Sequence, residues 1–110
     1  MTAHRTPADV LRAMGERIAR PERWTTGRYA RDSGGDETSP IASNATCWCW
    51  MGALHVESDS DFRLRLACID LMKKATGIVY IPSWNDTHTH AEVLAANARA
   101  RAMAEEESGE

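Results

Sequence analysis

The sequence contains no run of 18 apolar residues, so no membrane-spanning helix is expected. Its opening, MTAHRTPADV, has no apolar stretch of the kind a secretory leader needs. Cysteine is sparse: three residues, two of them only two positions apart, do not make a disulfide framework, and a reducing, cytoplasmic setting fits better. No internal repeat and no heptad run is present, which excludes solenoids and long coiled coils. There is no large excess of positive charge either. A net charge of −3 and a pI near 5.8 lie far from the basic balance of a dedicated nucleic-acid binder. What is there is ordinary globular material: 110 residues, 43% hydrophobic and 26% charged, enough for a single domain over 1–110 with one core. Its ends, 1–5 and 106–110, are expected to be disordered, and His4 in the first of them is assigned no role.

Charge is unevenly placed. Residues 1–31 hold seven arginines against Asp9, Glu16 and Glu22, a net +4, while residues 32–110 carry −7. Such a head can mark a nucleic-acid face, or it can pair with acidic parts of the same chain. The second reading is preferred, because +4 is a modest charge.

Helical signals dominate. Thr6 followed by Pro7 marks a helix start, and Val10, Leu11, Met14 and Ile18 recur at helical spacing over 7–19. From Cys47 to Val56 nearly every residue is apolar, the mark of a buried central helix, with Asn44 or Thr46 as its cap. Gly52 inside it points to close approach by another backbone. A third helix over 61–76, capped by Ser58, Asp59 or Ser60, carries two apolar stripes and is expected to pack on two sides. Thr89 with Glu92 reads as a capping box opening the last helix, whose acidic end should fray. Between these lie weaker signals. Residues 28–31 and 40–42 suggest a short hairpin with a long loop, 78–81 a short strand or extended connector, and 83–87 a loop. The expected architecture is therefore mainly α: a compact four-helix domain with at most a short hairpin or connector.

Three side-chain groups invite chemistry. Cys47 and Cys49 with His88 and His90 make four metal-ligand types in two close pairs. On a helix, however, residues two apart point some 200° away from each other, so zinc is disfavoured, and no cofactor is expected. Cys47 at a helix N-terminus is a candidate thiolate nucleophile, with His55, His88 or His90 as base and Asp86 or Asn85 to orient it. The competing reading is a packed core thiol. Trp24, Tyr29, Trp48, Trp84, Asn85 and Asp86 are either partner-binding residues or scaffold; aromatic anchors and side-chain turns account for them structurally.

Several of these segments fall into one pattern. Trp24-x-x-Gly27-x-Tyr29-Ala30-Arg31-Asp32, Cys47-Trp48-Cys49-x-x-Gly52-Ala53-Leu54, Trp84-Asn85-Asp86 and Thr89-x-x-Glu92-Val93-Leu94 resemble an uncharacterised family of small proteins. This domain of unknown function occurs in bacteria, notably actinobacteria, and in their phages. The resemblance spans about residues 20–100 and implies a compact, mostly helical domain; it brings no activity or cofactor. His88-Thr89-His90 departs from the shared pattern.

The function expected from these residues is non-catalytic binding of another protein, with antagonism of a host protein as one form of it. The acidic body suits a basic target. A homodimer through the Ala-rich last helix is a further option. The alternatives are a thiol enzyme centred on Cys47 and weak nucleic-acid binding through the Arg-rich head.

Overall fold

In a computed structural model, which describes residues 5–107, the chain opens with helix α1 (Pro7–Arg17). The Thr6 hydroxyl accepts the Asp9 amide at 3.1 Å, and the Asp9 carboxylate accepts the Thr6 amide at 3.0 Å. That hydrogen bond from Thr6 holds the Asp9 carboxyl below its usual range. Val10, Leu11, Met14 and Ile18 are all buried, as their spacing predicts. The helix stops at Arg17 and a 3₁₀ turn at Pro21–Arg23 follows.

The expected hairpin exists with a different partner strand. Strand β1 (Ala30–Arg31) pairs antiparallel with β2 (Cys47–Trp48), in the register Ala30 to Trp48 and Arg31 to Cys47. Residues 40–42 form no strand; the Pro40 carbonyl instead accepts the Trp48 indole N–H at 2.9 Å. Proline lacks the donor a ladder needs, which explains why the pairing moves past it. Cys47 and Trp48 thus leave the helix assigned to them. Helix α2 begins only at Trp50 and runs to Ser58, with Cys49 rather than Asn44 or Thr46 at its cap. An unbroken apolar run has no period from which to read that boundary.

Trp50, Ala53 and Leu54 are fully buried, so α2 is the central helix its composition predicts. It packs against α1, against α3 (Phe62–Thr76) and against α4 (Ile81–Asp86). A Cβ on Gly52 would overlap the Tyr29 carbonyl oxygen, so the close backbone approach expected there is present.

Asp61 caps α3 by accepting the Leu64 amide at 3.0 Å, displacing the three cap candidates before it. Gly77, at φ 73°, ends the helix in the left-handed conformation that glycine adopts without strain. The two-sided packing expected of α3 is one-sided: Cys68, Leu71 and Met72 are buried, whereas Phe62 is 64% and Leu66 50% exposed.

Residues 78–80 are an extended connector, and no strand forms over 78–81. The stretch expected as a loop is helix α4, a short turn with Pro82 in its first positions. Proline is harmless there because the first amides of a helix have no intrahelical partner. Among the described residues there are therefore five α-helices, one more than expected, and the fold is mainly α.

Helix α5 (His90–Glu107) lies against both α1 and α3. Its capping box is formed: Thr89 accepts the Glu92 amide at 3.1 Å, and Glu92 accepts the Thr89 amide at 2.8 Å. That bond keeps the Glu92 carboxyl below its usual range. The acidic end expected to fray is helical to Glu107, where Lys74 reaches the Glu107 carboxylate at 3.5 Å. Arg5, in the expected N-terminal tail, bonds Glu57 through its guanidinium. Residues 1–4, with His4, and 108–110 lie outside the described residues. Among the described residues no helix is long and apolar enough to cross a membrane.

Candidate functional site

Three distant segments meet at Asn85, which is fully buried in α4. Its Oδ1 accepts the Trp24 indole N–H at 2.8 Å and the Trp50 amide at 3.0 Å. Its Nδ2 donates to the Thr25 carbonyl at 3.1 Å and to Asp86 Oδ1 at 3.2 Å. Asp86 Oδ1 also accepts the Gly27 amide at 2.9 Å. A buried amide can satisfy at most two donors and two acceptors comfortably, and this one is full. These bonds tie Asn85 and Trp24 into the fold. A second buried amide, Asn97, ties α5 to α2 and α1, accepting the Trp50 indole N–H at 2.9 Å and donating to the Leu11 carbonyl at 2.8 Å. Sequence reading missed Asn97 because a lone asparagine on an Ala-rich helix looks solvent-facing.

Beside the Asn85 knot is a cleft of about 260 Å³ bounded by Gly27, Arg28, Tyr29, Cys49, Tyr80, Pro82, Ser83 and Asp86. The hydroxyls of Tyr29, Tyr80 and Ser83 have no hydrogen-bond partner among the described residues. Burial pushes the Tyr29 phenol above its ordinary value. Tyr80 and Ser83 also wall a groove of about 350 Å³ with Ile78, Trp84, Thr87 and His88. Trp84 and His88 in turn bound a hollow of about 370 Å³ that reaches Glu92 and Arg99. On the other flank, the His55 ring lies 5.3 Å from that of Tyr29 and borders a hollow of about 320 Å³ with Ile41 and Arg65. Tyr80 and Ser83 are common to the first two hollows and Trp84 and His88 to the second and third, so these three form one furrow with Tyr29, Tyr80, Trp84 and His88 along it, and the His55 hollow lies apart.

The residues proposed for chemistry are dispersed. Cys47 is half-buried in β2, two residues before the Cys49 cap of α2 and not at the cap itself, with its thiol 4.0 Å from the Arg31 carbonyl. Cys49 holds the cap position instead, its Sγ accepting the Gly52 amide at 3.3 Å. Burial pushes the Cys49 thiol up to about 11 and the Cys68 thiol up to about 12. His55 rests on Tyr29, and burial followed by the nearby Arg65 lowers its pKa. His88 stacks on Trp84 at 3.9 Å and shares a hydrogen bond with the Trp84 carbonyl at 2.7 Å. His90 meets the Ile18 carbonyl at 2.6 Å. Among the described residues no three His, Cys, Asp or Glu side chains converge as metal ligands. Trp48 is buried between the guanidinium groups of Arg17 and Arg23, at 4.6 and 5.5 Å from its ring.

These placements predict a single reactive thiol in the folded protein. Iodoacetamide at neutral pH should alkylate Cys47 alone, at the pace of an ordinary thiol, with Cys49 and Cys68 modified only after unfolding. Peptide mass mapping checks the order. A Cys47 rate well above that of a free thiol would restore the thiol-enzyme reading.

No curated protein and no solved structure shows significant similarity to the chain. Its sequence does fit one family pattern over residues 2–103, nearly the whole length, and the chain accordingly belongs to DUF6197, a family of unknown function.

Proposed function

We propose that the chain is a non-catalytic binding module that grips another protein along the aromatic furrow. One observation carries this reading: Val79 and Tyr80, on the connector beside the furrow, are 82% and 65% exposed. Isolated exposed apolar side chains are common on any surface. Here Tyr80 itself walls two hollows beside Trp84, His88 and Tyr29, Val79 is its chain neighbour, and large aromatic side chains dominate the energetics of protein interfaces. The finer form of the reading is an accessory protein that covers a host protein, and the −7 carried by residues 32–110 suits a basic target surface.

The basic head supports this reading over nucleic-acid binding. Each of its seven arginines has a partner within the same chain, although the Arg12, Arg20 and Arg28 pairs lie at the surface. Arg5 and Arg17 meet Glu57, Arg12 meets Asp9, Arg20 meets Glu22 and Arg28 meets Glu37. Arg23 covers Trp48, and Arg31 bonds the Thr25 hydroxyl at 2.9 Å.

The test uses the exposed pair. Val79→Ser with Tyr80→Ser should leave the melting temperature unchanged, since neither residue is in the core. A protein retained from the native host by the wild type, and then purified, should bind the double variant at least about tenfold more weakly. Equal affinity would overturn the reading. Sedimentation at rising concentration distinguishes a second copy of the chain from a foreign partner.

A further inference from the structure

We propose that the cleft between Tyr29, Tyr80, Ser83 and Asp86 is a receptor for an arginine side chain presented by the partner. The identity of the donor rests on the docking function above; the chemistry of the cleft does not.

The electrostatics carry the argument. Arg28 borders the cleft, but its guanidinium pairs with Glu37 at 3.1 Å and donates to the Gly27 carbonyl at 2.8 Å. Asp86 has no cation paired with it among the described residues. Its Oδ1 is occupied by the Gly27 amide and Asn85 Nδ2, leaving Oδ2 without a protein donor. Of the two charged residues that line the cleft, Arg28 is thus paired with Glu37, which lies outside the lining, and Asp86 has no ion-pair partner among the described residues. Tyr29 and Tyr80 line the same cleft, and phenol faces attract cations.

The donor pattern selects guanidinium over ammonium. The unpartnered acceptors are spread over Asp86 Oδ2 and the oxygens of Tyr29, Tyr80 and Ser83. A planar fork with five N–H donors reaches several acceptors at once and stacks on aromatic rings, whereas an ammonium acts as a point charge. The volume, about 260 Å³, lies below the roughly 300–1,000 Å³ of pockets for drug-sized ligands and suits one side chain. Burial keeps the Tyr29 phenol neutral well above physiological pH, so its oxygen remains a hydroxyl that accepts as well as donates. A basic partner surface also matches the acidic body of the chain.

The experiment titrates the isolated protein with N-acetyl-arginine amide, and with its lysine and citrulline counterparts, while amide resonances of Gly27, Ser83 and Asp86 are followed by NMR. Saturable shifts are expected with arginine. Affinity should fall at least about tenfold for citrulline, which keeps the shape and loses the charge, and measurably for lysine. Asp86→Asn keeps an Oδ1 acceptor for Gly27 and Asn85, should melt normally, and should lose arginine affinity by at least about tenfold. Absence of saturation, equal binding of citrulline, or full affinity in the variant would each overturn the proposal, and equal binding of lysine would remove its guanidinium selectivity. The two readings fail separately. Arginine binding that survives while Val79→Ser alone, outside the cleft lining, leaves partner affinity intact sinks the docking face alone. Undiminished partner binding by Asp86→Asn, in a protein where the exposed pair matters, sinks the arginine contact alone.

Discussion

Gly52→Ala should destabilise the protein by about 3 kcal/mol or more, against the sign that helix propensity assigns to the same change. In the interior of a helix, Ala is favoured over Gly by up to about 1 kcal/mol. Position 52 lies in the first turns of α2, and the atom its Cβ would strike is the backbone carbonyl oxygen of Tyr29. That carbonyl is held in place, since it accepts the Cys49 amide at 3.1 Å. A backbone atom cannot rotate away as a side chain can. Relief requires α2 and the Tyr29 segment to part, which loosens Trp50 and Leu54 in the core. Overpacking of this kind costs about 1–3 kcal/mol where side chains can adjust, and more where they cannot. For a chain of this size the loss corresponds to roughly 15 °C in melting temperature. Calorimetry of the variant checks it; a melting temperature equal to or above wild type would show that the two segments are not in contact.

Asn85→Ala is the second large effect, about 4 kcal/mol. The substitution leaves the Trp24 indole N–H, the Trp50 amide and the Thr25 carbonyl without the partner they share. Each buried polar group so stranded costs about 1–3 kcal/mol, and the vacated space adds a cavity term. The total stays below the simple sum because Trp24 is only half-buried and water can reach its ring nitrogen. Asn85→Asp separates hydrogen bonding from volume. The carboxylate can still accept from Trp24 and Trp50, but it cannot donate to Thr25 and sits beside Asp86. Burial raises the pKa of such an acid above its unfolded value, so this variant should be most stable in acid and lose stability as pH rises. Urea midpoints measured across pH decide the point: a flat profile for Asn85→Asp would mean that position 85 is open to solvent.

Much of the fold was legible because its signals are local. The helix start at Thr6-Pro7, the capping box at Thr89 and the spacing of Val10, Leu11, Met14 and Ile18 each act within one or two helical turns. Gly52 was readable as a close approach because a glycine in an apolar helix has few other physical reasons to be there. The errors fell where local preference is neutral. Residues 47–56 are apolar without a period, so composition does not show that a strand ends at Trp48 and a helix begins at Trp50. Residues 78–81 have strand propensity but no strand beside them, and isolated propensity yields to packing.

The site was less legible than the fold. Trp24, Tyr29, Asn85 and Asp86 were singled out without a basis for separating scaffold from surface. Asn85 proved to be the knot, while Asp86, one residue later, lines the cleft and has one oxygen, Oδ2, without a donor among the described residues. Nothing in the order of residues distinguishes those two roles.

From its sequence alone this chain was bound to be mainly helical, with a buried central segment and a basic head balanced by an acidic body. Hydrophobic periodicity and charge count settle those features, because each depends on neighbours along the chain. Tertiary structure decided which thiol caps a helix, that the head spends its arginines on partners within the same chain, and that Tyr29, Tyr80 and Asp86 line one cleft. Those outcomes depend on segments some 50 residues apart meeting at Asn85, and a meeting of that kind is written in no local stretch of the chain.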